Sequence, residues 1–205
     1  MKIRLLSIIL LLGFASCYAQ TNRQNEAAKP PDKDKVLIVY LSRTGNTEAI
    51  AKMIQKEVGG DLVALELEKP YPKDYRAIVE QVAKENESGF LPPLKTKIEN
   101  IGRYDTILLG FPTWGMQLPK PMKSFLRQYD LSGKTIIPFN TNAGYGVGSS
   151  FTSVKELCPE STVLEGFVTK GGIERDGIKL AIKNARADEV RIAVHDWLVR
   201  IKLTK

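Results

Sequence analysis

The sequence predicts an α/β domain: a three-layer, doubly wound fold with helices on both faces of a five-stranded parallel sheet. Five short apolar segments alternate with segments of helical periodicity between residues 36 and 201. The first segment, VLIVYL at 36–41, is apolar throughout, which is typical of a strand buried on both faces. Because crossovers between parallel strands are right-handed, few topologies remain, and the common five-stranded order is 2-1-3-4-5.

Local patterns place the elements along the chain. The other strands are expected where β-branched and aromatic residues concentrate, at 62–67, 104–111, 134–140 and 162–168. The first helix carries apolar residues at helical spacing from Ala49 to Val58 and is expected to end at Gly59–Gly60. Further helices are expected at 74–87, from Met122 to Tyr129, at 151–157 and at 188–201.

The N-terminal segment resembles an export signal rather than part of the fold. Lys2 and Arg4 precede an apolar stretch at 5–15, which is too short to span a bilayer and has the length of a secretory signal core. In one interpretation, residues 1–19 are a cleaved signal peptide. In the other, which stays open, Cys17 lies in a bacterial lipoprotein box, is lipidated and becomes the mature N-terminus.

The domain is expected to begin after a short tether. Residues 20–34 are polar and include a Pro–Pro pair, so we expect a flexible linker there and the folded domain at 35–205. The sequence has no twin-arginine pair, which favours export in an unfolded state. We expect a location in the bacterial periplasm or cell envelope, with membrane contact only through a lipid at Cys17.

Composition indicates an ordinary globular protein with a mildly basic surface. The 205 residues are 43% hydrophobic and 26% charged, with a net charge of +7. Without residues 1–19, 28 basic and 23 acidic residues leave +5. The lysines are spread along the chain rather than clustered with aromatic residues, so no nucleic-acid partner is expected. Cys158 is expected to pack near a helix end rather than to act as a redox centre.

Three chemically unusual loops are expected to meet at one edge of the sheet. In the order 2-1-3-4-5, strand 3 lies between strands 1 and 4, and ligands bind beyond the carboxyl ends of strands at such a switch point. The loops that follow these three strands are residues 42–47, 112–116 and 140–148. The sequence therefore predicts a ligand site built from these loops.

The first loop, SRTGNT at 42–47, can bind an anion without a lysine. It precedes a helix whose first N–H groups favour negative charge, and Gly45 lets the backbone approach closely. Asn46 either donates its amide to the anion or caps the helix, and Arg43 either adds charge or points into solvent. Hydroxyl groups that can donate to a phosphate are present at Ser42, Thr44 and Thr47. The pattern indicates a phosphomonoester site, with a plain helix cap formed by Asn46 or Thr47 as the alternative.

The other two loops place an aromatic residue each at the same edge. Trp114 stands between Pro112–Thr113 and Gly115, is not expected to belong to the core, and can stack on a flat ring. Tyr145 is flanked by glycines and is expected to be exposed. The alternative is that both rings merely cap the apolar end of the sheet. Together the three loops predict a pocket for a flat heterocycle on a phosphorylated tether.

These residues resemble the flavodoxin family, and in particular its short flavodoxin-like branch in bacteria. Ser42–Thr47 resembles the loop that holds the phosphate of flavin mononucleotide (FMN). The loop on one face of the flavin ring is matched by Pro112, Thr113, Trp114 and Gly115. The loop on the other face is matched by Thr141, Asn142, Ala143, Gly144, Tyr145 and Gly146. The resemblance covers residues 35 to 200.

The resemblance implies non-covalent FMN as cofactor and electron transfer through it, with no metal ligand and no catalytic side chain assigned. Gly115 is then the residue whose peptide can change orientation on reduction. Tyr145, Tyr71 or a water remain candidates for supplying protons. Flavodoxins are often acidic, whereas this chain is basic, so the family's partners are not carried over.

Three functions stay open on the sequence. The first is an electron carrier for a redox partner protein. The second is an NAD(P)H-dependent oxidoreductase of quinones or similar small-molecule electron acceptors. The third is an exported binding module that keeps the fold and binds no flavin.

Overall fold

The computed structural model of the protein describes residues 31–205. The expected signal at 1–19, with Cys17, and most of the expected tether at 20–34 lie outside the described residues. Within 31–205, no helix has the length and apolar character needed to cross a membrane.

The described chain forms six strands and five α-helices, which alternate except that the last two strands follow one another. The strands are β1 (Val36–Tyr40), β2 (Asp61–Ala64), β3 (Thr106–Pro112), β4 (Thr135–Asn142), β5 (Thr162–Val163) and β6 (Phe167–Lys170). The helices are α1 (Asn46–Val58), α2 (Tyr75–Ser88), α3 (Lys120–Gln128), α4 (Ser150–Leu157) and α5 (Asn184–Arg200). Short 3-10 turns lie at Lys33–Lys35, Ile101–Arg103 and Glu174–Asp176.

The sheet is parallel and has the predicted order. Its path is β2-β1-β3-β4-β5, and β6 also pairs with β4. At the centre, Leu37 of β1 is opposite Ile107 of β3, which is opposite Ile136 of β4. The doubly wound α/β fold class is therefore confirmed.

Two separate cores lie on the two faces of the sheet. Because side chains alternate along a strand, Leu37 and Val39 enter the core under α3 and α4, whereas Val36 and Ile38 enter the core under α1 and α5. All four are fully buried. Burial of each such side chain contributes about 1.5–3 kcal/mol, which is why an uninterrupted apolar run forms the central strand.

The edge strand differs from the prediction of one strand at 162–168. Between the pairs Ile136–Val163 and Phe139–Phe167, β4 contributes two residues and the edge strand contributes three, which is a β-bulge. Pro138 of β4 lies opposite this break and has no N–H to donate. Gly166 fits there because a Cβ at that position would lie 2.8 Å from the Pro138 carbonyl oxygen.

Two other boundaries also differ. The second strand was expected at 62–67 but ends at Ala64, and Leu67 instead forms an isolated antiparallel bridge with Leu94. The last helix begins at Asn184 rather than at 188. The end of α1 at Gly59, which has a φ of 76°, is as predicted.

We expect Gly110→Ala to destabilise the fold. Gly110 of β3 is directly opposite Phe139 of β4, and an added Cβ would lie 2.2 Å from the buried Phe139 ring. Since a packed core gives the ring little room, the free energy of unfolding should fall by about 1–3 kcal/mol in urea titrations. Gly102→Ala is the control, because its nearest neighbour is 3.6 Å away and its effect should stay within about 0.5 kcal/mol. Equal stability of the two variants would contradict the close approach.

Candidate functional site

A cavity at the carboxyl ends of β1, β3 and β4 brings the three loops together. We call it the loop cavity. Its lining comes from the first loop (Arg43, Thr44, Asn46 and Thr47), the second (Pro112, Thr113 and Trp114) and the third (Thr141, Asn142 and Ala143). The loops meet as the topology predicts. The role of these residues in ligand binding stays a prediction.

The start of α1 lies at this cavity without a side-chain cap. Gly45 is the N-cap residue and has a φ of 85°. No side chain accepts a capping hydrogen bond from the N–H groups of the first turn. The alternative that Asn46 or Thr47 caps the helix is therefore wrong. Within residues 31–205, the N–H groups of Asn46, Thr47 and Glu48 have no hydrogen-bond acceptor. They leave the partial positive charge of the helix available to an anion.

Asn46 fixes a distant segment against α1. Its Nδ2 donates to Thr44 Oγ1 (2.9 Å) and to the Lys179 carbonyl (2.7 Å). Its Oδ1 accepts from the backbone N–H of Ala181 (2.9 Å) and Ile182 (3.1 Å). The residue is 97% buried, and its side chain takes neither of the two roles expected for it. What Asn46 offers a ligand is its backbone N–H.

Two threonines link the first loop to the third. The hydroxyl oxygens of Thr47 and Thr141 are 2.8 Å apart, and both residues are buried. Each hydroxyl has one proton, so this bond uses one and leaves the other free to donate. Thr44 also keeps its proton, since its oxygen is an acceptor from Asn46. Ser42 differs: its buried Oγ has no partner among the described residues, and it lines a neighbouring cavity instead.

Arg43 takes neither of the two positions considered for it. Its Nε donates to both carboxylate oxygens of Glu174, at 3.0 and 2.8 Å, and both side chains are 17% exposed. The two remaining guanidinium nitrogens donate to the carbonyls of Pro72 and Lys73. Arg43 thus holds two other segments in place, and its charge is neutralised by Glu174 beside the loop cavity.

Trp114 borders both the loop cavity and a second, apolar cavity of about 300 Å³. The apolar cavity lies between Gly115 and the α2 side chains Ile78, Val79 and Val82. The Trp114 ring is partly buried and meets the Tyr71 ring edge-on, with centroids 5.3 Å apart. It packs against the core under α3, which corrects the expectation that it stands apart from the core.

Only the first half of the third loop lines the loop cavity. Gly144, Tyr145 and Gly146 line neither cavity, and Tyr145 is 67% exposed, as its glycine neighbours predict. Asn142 shapes the turn, because its Oδ1 accepts from the N–H of Gly144 (2.8 Å) and of Gly146 (3.2 Å). A role for the Tyr145 ring over a ligand stays a prediction.

Tyr71 keeps its proton in this arrangement. Its hydroxyl donates to Glu85 Oε2 at 2.6 Å, and Glu85 is buried. Burial first, and then the nearby carboxylate of Glu85, raise the pKa of Tyr71 well above its usual range. The Tyr71 proton is therefore held in a structural hydrogen bond to Glu85 and is not free for donation to a ligand.

Comparison with known proteins decides the family. A model of the flavodoxin family matches residues 35–185, most of the chain. The chain belongs to the flavodoxin family. The flavodoxin of Synechocystis sp. is 27% identical to it over 163 residues, covering 74% of this chain and 80% of that protein.

Solved flavodoxin-like structures have the same architecture. A protein from Bacteroides eggerthii, described as a flavoprotein, is 30% identical, has a TM-score of 0.66, and is matched over 97% of its chain and 82% of this one. A flavoprotein from Lactobacillus acidophilus in complex with FMN is 23% identical, with a TM-score of 0.58, and is matched over 98% of its chain and 71% of this one. At that identity the second likeness shows the fold alone.

The lining of the loop cavity also includes residues that the sequence did not single out. They are Tyr75 at the start of α2, the pair Gly171–Gly172 and Glu174. The sequence could have indicated the glycine pair, because it directly follows the last strand of a parallel sheet. It therefore lies at the same edge of the sheet as the three loops. Glu174 had none, since its partner Arg43 is 131 residues away.

Metal ions and reactive thiols are two other groups that can carry redox chemistry. Among residues 31–205, no three His, Cys, Asp or Glu side chains are grouped so that they could hold a metal ion. Cys158 is buried at the end of α4, as expected, and burial raises the pKa of its thiol to about 11. The thiol is therefore protonated near neutral pH.

We expect Asn46→Ala to release the segment at 179–182. The N–H groups of Ala181, which is partly buried, and of Ile182, which is buried, lose their acceptor, so the free energy of unfolding should fall by about 2–4 kcal/mol. Hydrogen exchange should speed up at these two amides. Gln55→Ala is the control on the same helix, because Gln55 makes a single bond, to the Gly60 carbonyl, and should cost about 1 kcal/mol. Wild-type exchange at both amides in Asn46→Ala would contradict the bridge.

Proposed function

We propose that this protein binds FMN without a covalent bond and carries electrons for a partner protein. One observation supports this above all. A helix start without a side-chain cap and an apolar cavity bordered by a tryptophan meet in one cleft at the carboxyl ends of the central strands. When bound, FMN supplies a ring that accepts and donates electrons one or two at a time.

The loop cavity suits the phosphate end of the cofactor. The first-turn N–H groups of α1 and the hydroxyls of Thr44 and Thr47 supply donors around a small volume. Glu174 also lines this cavity, and its negative charge would oppose a phosphate if Arg43 did not neutralise it. The chain therefore holds the anion with amides and hydroxyls, and uses its arginine to remove the repulsion.

The apolar cavity suits the ring. Trp114, Ile78 and Val82 provide a surface that excludes water from a flat heterocycle. Gly115 has a φ of 56°, and a Cβ there would lie 3.1 Å from Asn86 Nδ2. Glycine therefore leaves the backbone free beside the ring position.

The relatives support the same assignment. Membership of the flavodoxin family, and the FMN bound by the Lactobacillus acidophilus flavoprotein, agree with a flavin site in this fold. Neither tyrosine considered as a proton donor is placed to serve a substrate at the ring, which leaves water as the proton source for an NAD(P)H-dependent reductase. Tyr71 is committed to Glu85, and Tyr145 extends into solvent.

We expect the double change Thr44→Ala with Thr47→Ala to weaken FMN binding through the phosphate alone. Loss of two charge-assisted hydrogen bonds should raise the Kd of FMN about 30- to 1000-fold, roughly 2–4 kcal/mol, in a fluorescence titration. The Kd of riboflavin, which has no phosphate, should not change. Thr44→Ser with Thr47→Ser is the matched control, since it keeps both hydroxyls.

Two results would count against the proposal. A wild-type protein that is purified colourless and refuses added FMN is not a flavin carrier. Steady NADH or NADPH oxidation with a quinone and no partner protein would favour the reductase.

We also propose that the domain acts outside the cytoplasm, on the strength of residues 1–19. Because an unfolded exported chain crosses without its cofactor, FMN would then be captured after export. The intact mass of the protein recovered from the envelope fraction tests this. A mature chain starting at residue 20, or one starting at a lipid-modified Cys17, supports export, and a chain that keeps residues 1–19 in the cytoplasm contradicts it.

A further inference from the structure

A separate cavity, of about 310 Å³, lies between α3, α4 and the chain that follows α2. We call it the lysine cavity. Its lining is Lys120, Lys123 and Arg127 of α3, Ser153, Glu156 and Leu157 of α4, and Gly89 and Leu91 after α2. It shares no lining residue with the cleft assigned to FMN.

Lys120 gives this cavity its unusual character. The residue is 94% buried, yet within residues 31–205 its ammonium group has no ion-pair or hydrogen-bond partner. Only its backbone carbonyl is bonded, accepting from Ser124 Oγ at 3.1 Å. Within residues 31–205, the fully enclosed polar side-chain atoms without a partner are Ser42 Oγ and Ser150 Oγ, so the Lys120 ammonium group stays open to the cavity while its stem is buried. An anion in the cavity would supply the missing partner.

Two more cations face the same space. Lys120, Lys123 and Arg127 are three and four residues apart along α3, so they lie on one face of the helix. The pKa of Lys123 is lowered, first by burial and then by the charges of Lys120 and Arg127, and Glu156 offsets this only in part. The three cations therefore repel one another across a cavity whose lining has a single carboxylate.

We propose that the lysine cavity binds the phosphoryl group of a small anion, either free phosphate or a phosphomonoester. Three cations and one carboxylate leave a lining charge of +2, which a phosphate dianion neutralises. Arg127 can present a bidentate pair of N–H donors, the two lysines add ammonium donors, and Ser153 adds a hydroxyl. The proposal does not depend on FMN, because the two sites share no residue.

Calorimetric titration with inorganic phosphate at constant ionic strength tests the site. Loss of one cation should weaken binding, so Lys123→Gln and Arg127→Gln should each raise the Kd about tenfold. Removal of the lining carboxylate should do the opposite, so Glu156→Gln should lower the Kd about threefold. These three positions lie on helix surfaces, and thermal unfolding verifies that the variants fold.

Lys155→Gln is the matched control. Lys155 is an exposed residue of α4 that does not line the cavity, so this change removes one positive charge and should leave the Kd as it is. If Lys155→Gln weakens binding as much as Lys123→Gln, the effect is one of net charge and the site is overturned. Unchanged Kd values in Lys123→Gln and Arg127→Gln overturn it as well.

Two further titrations separate the sources of the phosphoryl group and the two sites. Adenosine 5′-monophosphate that binds at least tenfold tighter than phosphate identifies a nucleotide-borne group, and equal affinities identify free phosphate. The change Thr44→Ala with Thr47→Ala should leave this binding intact. If phosphate binding is lost in that double variant but kept in Lys123→Gln, the phosphate binds in the loop cavity. That result overturns the inference and leaves the FMN proposal standing.

Discussion

The register of the three central strands is the constraint on which the site depends. Parallel pairing of β1, β3 and β4 places their carboxyl ends at one edge, so the loops that follow them must meet there. The pairing extends past the strands themselves: the Leu41 N–H donates to the Gly110 carbonyl, and the Thr113 N–H to the Thr141 carbonyl. A shift of one residue would turn every core side chain to the opposite face. The hydrophobic pattern that stabilises the fold therefore also sets the positions of the loop cavity.

Polar residues in the first loop bind distant parts of the scaffold. Arg43 and Asn46 are tied to Glu174 and to the segment at 179–182, and Thr47 is tied to Thr141. These bonds hold the backbone of the loop, and it is that backbone which presents free N–H groups at the start of α1. A loop held in this way needs little further ordering when a ligand binds.

The fold could be predicted from the sequence more completely than the site. Continuous apolar runs, such as 36–41, and glycines that end helices, such as Gly59–Gly60, are local signals. They were enough to predict the strands and most helices, and the strand order then predicted that the loops meet. The bulge was missed because it depends on Pro138 and Gly166, which lie on different strands. The contact of Arg43 with Glu174 joins residues far apart in sequence, so no spacing indicates it. Local composition also does not indicate that the Trp114 ring packs edge-on against the Tyr71 ring.

The bond between Arg43 and Glu174 also sets an order of events during synthesis. The walls of the loop cavity come from both ends of the domain. Residues 43–47 form one part of the wall, and Gly171, Gly172 and Glu174 form another. A nascent chain that has emerged only as far as β4 has the helix start but lacks this wall and the neutralising carboxylate. This corner of the fold is therefore completed late, and a half-emerged chain lacks part of the loop cavity.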